Sequence, residues 1–353
     1  MFAIAAIISV LAIPDIENDG SFIRAITVLP NYIYWSMMIL FFVSHYRDLN
    51  VTTIYRAIFH GLLATLIYYL VLQNYLSGII FFKHITQNTY AFVLICYAPF
   101  AVYYLDKTKS RFLSLALLAL MIATLLIDGR RAGTFLVLVG GLSVLYFPKV
   151  NMKQFISVST LLLVLFLGMK LQTVENFIYN ANERIYALIY ETDKVVEEDR
   201  SYLLRIAMVQ KGLKIFEEYP LTGIGLNNFT NFGVDLENTF VGAQYVINKT
   251  DVNEKSAHNS YISLLAEGGL LLIIPFILIL LRIILYFIYH FNTIPRTLHP
   301  AFFGVILMCI HFYFISAVVN VFAWFLLALA ISFIYKDKLR KNSIKLEALK
   351  RSH

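Results

Sequence analysis

HNSYISLLAEGGLLLIIPFILILLRIILYFIY, residues 258–289, decides the class of fold. The run carries two formal charges, Glu267 and Arg282. It is longer than the ~20 predominantly apolar residues that carry a helix across a bilayer. In hydrocarbon every backbone polar group must be paired within the segment, so the run reads as a helix and not as a strand.

Working outward, further apolar runs lie at 1–13, 29–46, 54–72, 88–105, 111–127, 133–147, 155–170, 297–316 and 318–335. Of the 353 residues 59% are hydrophobic and 14% are charged, where a soluble domain carries about 25% charge. Lipid is therefore the main solvent, and the expected fold is an all-α polytopic membrane protein of about ten transmembrane helices. Residues 75–82 (YLSGIIFF) extend the third helix or re-enter the membrane. Residues 1–13 lack a basic n-region and a small-residue cleavage site, so they read as a retained first span.

Charge placement orients the chain. The tail 336–353 holds seven Lys/Arg against Asp337 and Glu347, directly after an apolar run. Such a cluster marks the cytoplasmic side and attraction to anionic lipid headgroups. The net charge of +7 is thus a topology signal, and nucleic acid is not an expected partner. Counting ten spans back from the tail puts Lys107, Lys109, Arg111, Lys149, Lys153, Arg282 and Arg296 in or beside cytoplasmic connections. The same count puts Asp15, Glu17, Asp19 and the segment 171–257 outside; that segment has eight Lys/Arg and thirteen Asp/Glu. Four regions are expected: an N-terminal bundle over 1–170, an extracytoplasmic loop over 171–257, C-terminal helices over 258–335 and a basic tail over 336–353. Cys96 and Cys309 lie within apolar runs and make no disulfide framework or metal site.

Within the long loop Tyr202, Ile206, Val209, Leu213 and Phe216 recur at steps of four, three, four and three. This spacing predicts an amphipathic helix, ended by Pro220 and the turn Gly223-Ile224-Gly225. Arg205 falls about 60° from the centre of the stripe, at its border.

Three places combine charge with unusual position. Asp128-Gly129-Arg130-Arg131-Ala132-Gly133 puts two arginines in a short outer turn, where basic residues are disfavoured. Arginine offers a planar fork that stays protonated and suits a phosphate or pyrophosphate; pairing with headgroups or Asp128 is the plainer alternative. Arg205 is the second, against snorkelling or a pair with Glu198 or Glu217. The third is Ser256-Ala257-His258-Asn259-Ser260-Tyr261, where the loop returns to the membrane. A histidine there suits a general base, whereas Asn259 or Ser260 would serve as an N-cap beside an idle ring. Glu267, about 13 Å further along the helix, is costly at that depth unless paired or on a polar cavity. Gly268-Gly269 points to close packing, and Pro275 predicts a kink.

Arg205, then Tyr219-Pro220-Leu221-Thr222-Gly223-Ile224-Gly225-Leu226-Asn227-Asn228-Phe229, then His258-Asn259-Ser260-Tyr261 and Ala266-Glu267-Gly268-Gly269 resemble the signature of the O-antigen ligase/polymerase family. Gln87-Asn88-Thr89-Tyr90-Ala91-Phe92 and the Arg130-Arg131-Ala132-Gly133 turn are similar to two further family landmarks. The resemblance covers roughly 85–290. The family commonly has Ser-Arg at the turn, so either Arg130 or Arg131 corresponds. It implies a metal-independent, inverting glycosyl transfer from an undecaprenyl-diphosphate-linked oligosaccharide, with no cofactor. Arg130, Arg131 and Arg205 would hold the diphosphate, and His258 would take the acceptor proton. Asn259, Glu267, Gly223 and Gly225 complete the expected substrate-binding set.

The expected place is the cell inner membrane, with the site on the extracytoplasmic side. The expected acceptor is another glycan, as in a surface polysaccharide (O-antigen or capsule) polymerase. A ligase would use a lipid A core or a protein instead, and a chain-length regulator would be a further partner. Two other readings compete: a non-enzymatic transporter, which calls for internal repeats and midplane charges that the sequence lacks, and a metal-dependent transferase using Asp15, Glu17 and Asp19.

Overall fold

The computed structural model describes residues 2–13, 21–72, 86–127, 130–146, 200–233, 256–316 and 320–351. Every regular element among them is helical: α1 (Phe2–Leu11), α2 (Ser21–Ser44), α3 (Val51–Ile67), α4 (Gln87–Thr108), α5 (Arg111–Ile127), α6 (Arg131–Tyr146), α7 (Arg200–Glu218), α8 (Ser260–His290), α9 (His299–His311) and α10 (Val321–Arg351). The runs expected at 75–82 and 155–170, and Asp15, Glu17 and Asp19, lie outside the described residues.

Against the ten expected spans, four described stretches are long and apolar enough to cross a membrane: Ser21–Ser44, Val51–Val71, Asn88–Thr108 and Ser260–His290. Leu40, Phe41, Leu278 and Ile288 project outward from two of them and are exposed. Bulky apolar side chains displayed this way face lipid. Among the described residues the chain is all-helical, and its apolar helices are those of a membrane protein.

The centre of the bundle is α4, packed by α3, α5, α6 and α9. It is apolar on every side, with little amphipathic bias, as a helix enclosed by others must be. Around this core, α2 packs along α10, and α1 lies between α2 and α8. The rings of Trp35 and Trp324 stack at 5.3 Å where α2 meets α10.

The two ends of the bundle differ in chemistry. At one end Lys336 Nζ donates to Leu49 O (2.5 Å), Arg340 Nη2 to Thr293 O (2.7 Å) and Arg111 Nη2 to Leu145 O (3.4 Å). Tyr55 there donates to the Thr297 carbonyl. Buried Asp337 gathers Arg340 (2.9 Å), Lys341 (2.7 Å) and the Tyr286 hydroxyl (2.9 Å). The basic stretch 336–351 is therefore the last part of α10, pinned by its own charges. The opposite end holds the starts of α2, α4, α6, α8 and α10, together with α7. The signature residues gather there.

Candidate functional site

The site is built on a knot of backbone between the turn after α7 and the first part of α8. At Gly269 α8 departs from helical geometry (φ 57°, ψ −158°), while Pro275, where the kink was expected, stays inside the helix. The groups freed by the break find partners in the turn. Leu270 N–H donates to Pro220 O (2.9 Å) and Leu271 N–H to Leu221 O (3.1 Å), while Ile224 N–H donates to Ala266 O (3.0 Å). The approach is too close for side chains. A Cβ on Gly223 (φ +66°) would meet Glu267 C at 2.4 Å, and one on Gly269 would meet Leu221 C and O at 2.4 Å. Both positions combine left-handed backbone with backbone contact, which glycine alone accommodates.

Side chains from three elements fasten this knot. Glu267, half-buried, accepts the Phe229 N–H on Oε1 (3.3 Å), so its carboxylate is turned to the turn's backbone. Ser9 of α1, fully buried, donates its Oγ toward Thr222 O (2.9 Å) and Glu267 O (3.0 Å). Asn228, 1% exposed, has a partner at each polar side-chain atom: its Oδ1 accepts from Arg24 Nε (2.9 Å), and its Nδ2 donates to Ser21 O and Ile224 O (both 3.1 Å). Gly225 (φ +88°) lies against the Ile13 side chain, which a Cβ would meet at 2.5 Å.

The amphipathic helix is present as α7, but its packed face is Ala207, Met208, Lys211, Gly212 and Ile215. The expected stripe is rotated away from α8, and its Leu213 is exposed. Gly212 explains the rotation: a Cβ there would sit 2.2 Å from Ile262 of α8, so the small-residue face gives the closest approach. Lys211 is carried inward, its Nζ 4.9 Å from the Phe229 ring centroid. Burial pushes its ammonium down to about 8.

His258 is held in the left-handed region (φ 47°) immediately before α8. That conformation costs a non-glycine residue roughly 1–2 kcal/mol, so its neighbours must impose it. They do. Asn259 is the N-cap, its Oδ1 accepting from Tyr261 N (3.0 Å) and Ile262 N (3.2 Å). Ser260, fully buried, donates its N–H to Phe312 O (2.8 Å) and its Oγ to Ile315 O (2.6 Å).

His258 lines a pocket of about 280 Å³. Asn88, Thr89 and Phe92 of α4 form one wall, Ser256 lies beside His258, and Ile315, Ser316 and Asn320 close the far side. The Asn88-Thr89 landmark and His258 thus share one cavity.

The arginines occupy different positions. Arg130 is half-buried at the start of α6, and its carbonyl accepts from Thr134 N (2.9 Å) and Thr134 Oγ1 (3.0 Å). Its guanidinium acts electrostatically on His311, whose ring stacks on Phe92 at 6.0 Å, and Arg130 itself is not among the residues that line the pocket. Arg131 opens α6, and its side chain lies outside the described residues. Arg205 is exposed on α7 and forms no ion pair with Glu217; Glu198 lies outside the described residues. Among the described residues no group of three or more His, Cys, Asp and Glu could hold a metal ion.

Arg24, Lys211 and His311 were not singled out by sequence, and Asn228 was named only as one member of the glycine-turn motif. Arg24 carried a usable signal, because alternation puts it on the outer side, where an arginine needs an explanation. His311 carried none, since burial between helices is what distinguishes it. It is 5% exposed, and neither ring nitrogen has a hydrogen-bond partner among the described residues.

No curated protein matches the chain. Residues 116–277, from within α5 to within α8, match the family model described as O-antigen ligase. That stretch contains the arginine turn, α7, the glycine turn, His258 and Glu267, and the match supports the resemblance to the O-antigen ligase/polymerase family.

Proposed function

We propose that this protein transfers a glycan from an undecaprenyl-diphosphate-linked donor to an acceptor hydroxyl, as a surface polysaccharide polymerase of the inner membrane. The observation that carries the reading is His258, held in a strained conformation on the wall of a polar pocket at the end of the bundle where Arg130 and α7 lie. The family match supports glycosyl transfer of the O-antigen ligase/polymerase type.

The chemistry is a single displacement that inverts the anomeric centre. The acceptor oxygen forms a bond to the anomeric carbon as the bond to the diphosphate oxygen breaks. His258 takes the hydroxyl proton and later releases it to water. Charge accumulates on the departing diphosphate, and Arg205 with Arg130 or Arg131 stabilises it. Glu267, Gly223 and Gly225 serve through the turn they build, Asn259 through the helix start that presents His258. Each step is assigned to this chain's own side chains, as a metal-independent transfer requires.

The test is to incubate purified protein with lipid-linked repeat units, with excess EDTA, and to size the products. A ladder of lengths supports a polymerase. Product only after addition of a core lipid makes the protein a ligase, and no transfer under either condition overturns the reading.

A further inference from the structure

The pocket beside His258 has a composition that selects its ligand. None of the eight described residues lining it carries a fixed charge. Five of them, Asn88, Thr89, Ser256, Ser316 and Asn320, bring amide or hydroxyl groups, and these both donate and accept hydrogen bonds. An anion bound there would meet no fixed positive charge among the described lining residues, and such charges are what make anion binding strong. An apolar ligand would leave the polar groups without partners, at a cost of about 1–3 kcal/mol each. A ligand dense in neutral hydroxyls satisfies both constraints. The volume, about 280 Å³, lies just below the ~300–1,000 Å³ of drug-sized sites and suits a single ring.

We propose that this pocket binds one uncharged sugar ring of the acceptor, presenting a hydroxyl to His258, with Asn88 and Asn320 as specificity-determining residues. The assignment rests on the glycosyl-transfer reading above. It divides the site by charge: the diphosphate belongs with the arginines, and the neutral acceptor ring with the amides. The two asparagines come from opposite walls, on α4 and at the start of α10. Asn320 Oδ1 already accepts the Phe322 N–H (3.0 Å), so its Nδ2 is the group left to donate into the pocket.

That division of labour supplies the test. Asn320→Asp keeps an oxygen on the Phe322 N–H, and Asp caps helices as well as Asn does, so folding is preserved while the donor is replaced by a charge. Binding is read by saturation-transfer NMR on purified protein, using methyl glucoside, galactoside, rhamnoside and N-acetylglucosaminide. Methyl glucuronide and pyrophosphate are the charged probes. At least one neutral glycoside should bind saturably at millimolar concentration and weaken about 10-fold in Asn320→Asp and in Asn88→Ala. Pyrophosphate binding should be unchanged in both variants. No neutral glycoside binding to wild type, or equal binding to wild type and variants, overturns the proposal. Its failure is separable from that of the function. Glycoside binding that responds to the variants in a protein without transfer activity sinks only the function. Transfer with an unchanged acceptor KM in Asn320→Asp sinks only the pocket assignment.

Discussion

The Arg24 guanidinium donates from Nε to Oδ1 of Asn228 at 2.9 Å, joining the start of α2 to the glycine turn across 204 residues of chain. Arg24 lies outside the stretch that matches the family, and Asn228 lies inside it. The N-terminal helices therefore form part of the frame that shapes the signature turn. Arg24→Met should remove a charge-assisted hydrogen bond and leave the Asn228 oxygen without this donor, at a cost of about 1.5–3 kcal/mol. The expected result is a lower unfolding temperature in detergent together with faster proteolysis of the turn. An unchanged unfolding temperature would separate the N-terminal helices from the site.

The backbone knot is the least forgiving part of the structure. Gly223→Ala and Gly269→Ala each force a Cβ to within 2.4 Å of backbone atoms, in a conformation that L side chains rarely adopt. Each should cost more than about 3 kcal/mol and abolish transfer. Gly233→Ala, with nothing among the described residues within 4 Å of its Cβ, is the matched control and should behave as wild type in the same unfolding and activity assays.

His258 and the arginines should fail differently. His258→Ala should lower turnover by roughly 10²–10⁴-fold with donor binding nearly intact, and higher pH should partly restore it. Arg205→Lys keeps the charge and loses the fork; Arg205→Ala should be worse, by about 10²–10³-fold in turnover. Arg130→Ala and Arg131→Ala, compared side by side, identify which of them shares that role. Steady-state kinetics on variants with wild-type size-exclusion profiles are the measurement. Near wild-type turnover in folded His258→Ala would remove the base from the mechanism.

Lys211 gives stability a dependence on pH. Its ammonium is depressed to about 8 in the folded protein, against an ordinary value of 10.5, because burial disfavours the charge. Between those values the unfolded chain binds more protons, so stability rises with pH across this window and its burial penalty is full below pH 8. Lys211→Met should raise the unfolding temperature at pH 7 and flatten the rise between pH 8 and 10.5. A steeper rise in the variant would show that another group titrates there.

Orientation can be read with an impermeant thiol reagent. A cysteine at Asn248 should label in intact cells and one at Ser343 should not. Cys96 is buried and Cys309 half-buried within the bundle, so neither should contribute. Labelling at 343 alone would reverse the orientation and move the site to the other face.

The sequence by itself determined the class of fold, the approximate position of the described helices and the short list of unusual charges. Each is a local property. A run such as 258–289 needs only its own apolarity to be a membrane helix, and an arginine in an outer turn is conspicuous against its immediate neighbours. The glycine turn and Ala266-Glu267-Gly268-Gly269 were also visible, as separate motifs. Only the tertiary structure decided that they are one object, because hydrogen bonds between residues 220 and 270 leave no periodicity in the chain. The same holds for the packed face of α7: apolar spacing selected the stripe through Leu213, while close approach at Gly212 selected its neighbour. Pro275 marked a kink on backbone chemistry alone, yet the break lies at Gly269, where freed polar groups have partners waiting. Hydrophobic pattern reports which residues avoid water. Which of them touch, and which polar groups are stranded or satisfied as a result, depends on contacts between segments far apart in the chain.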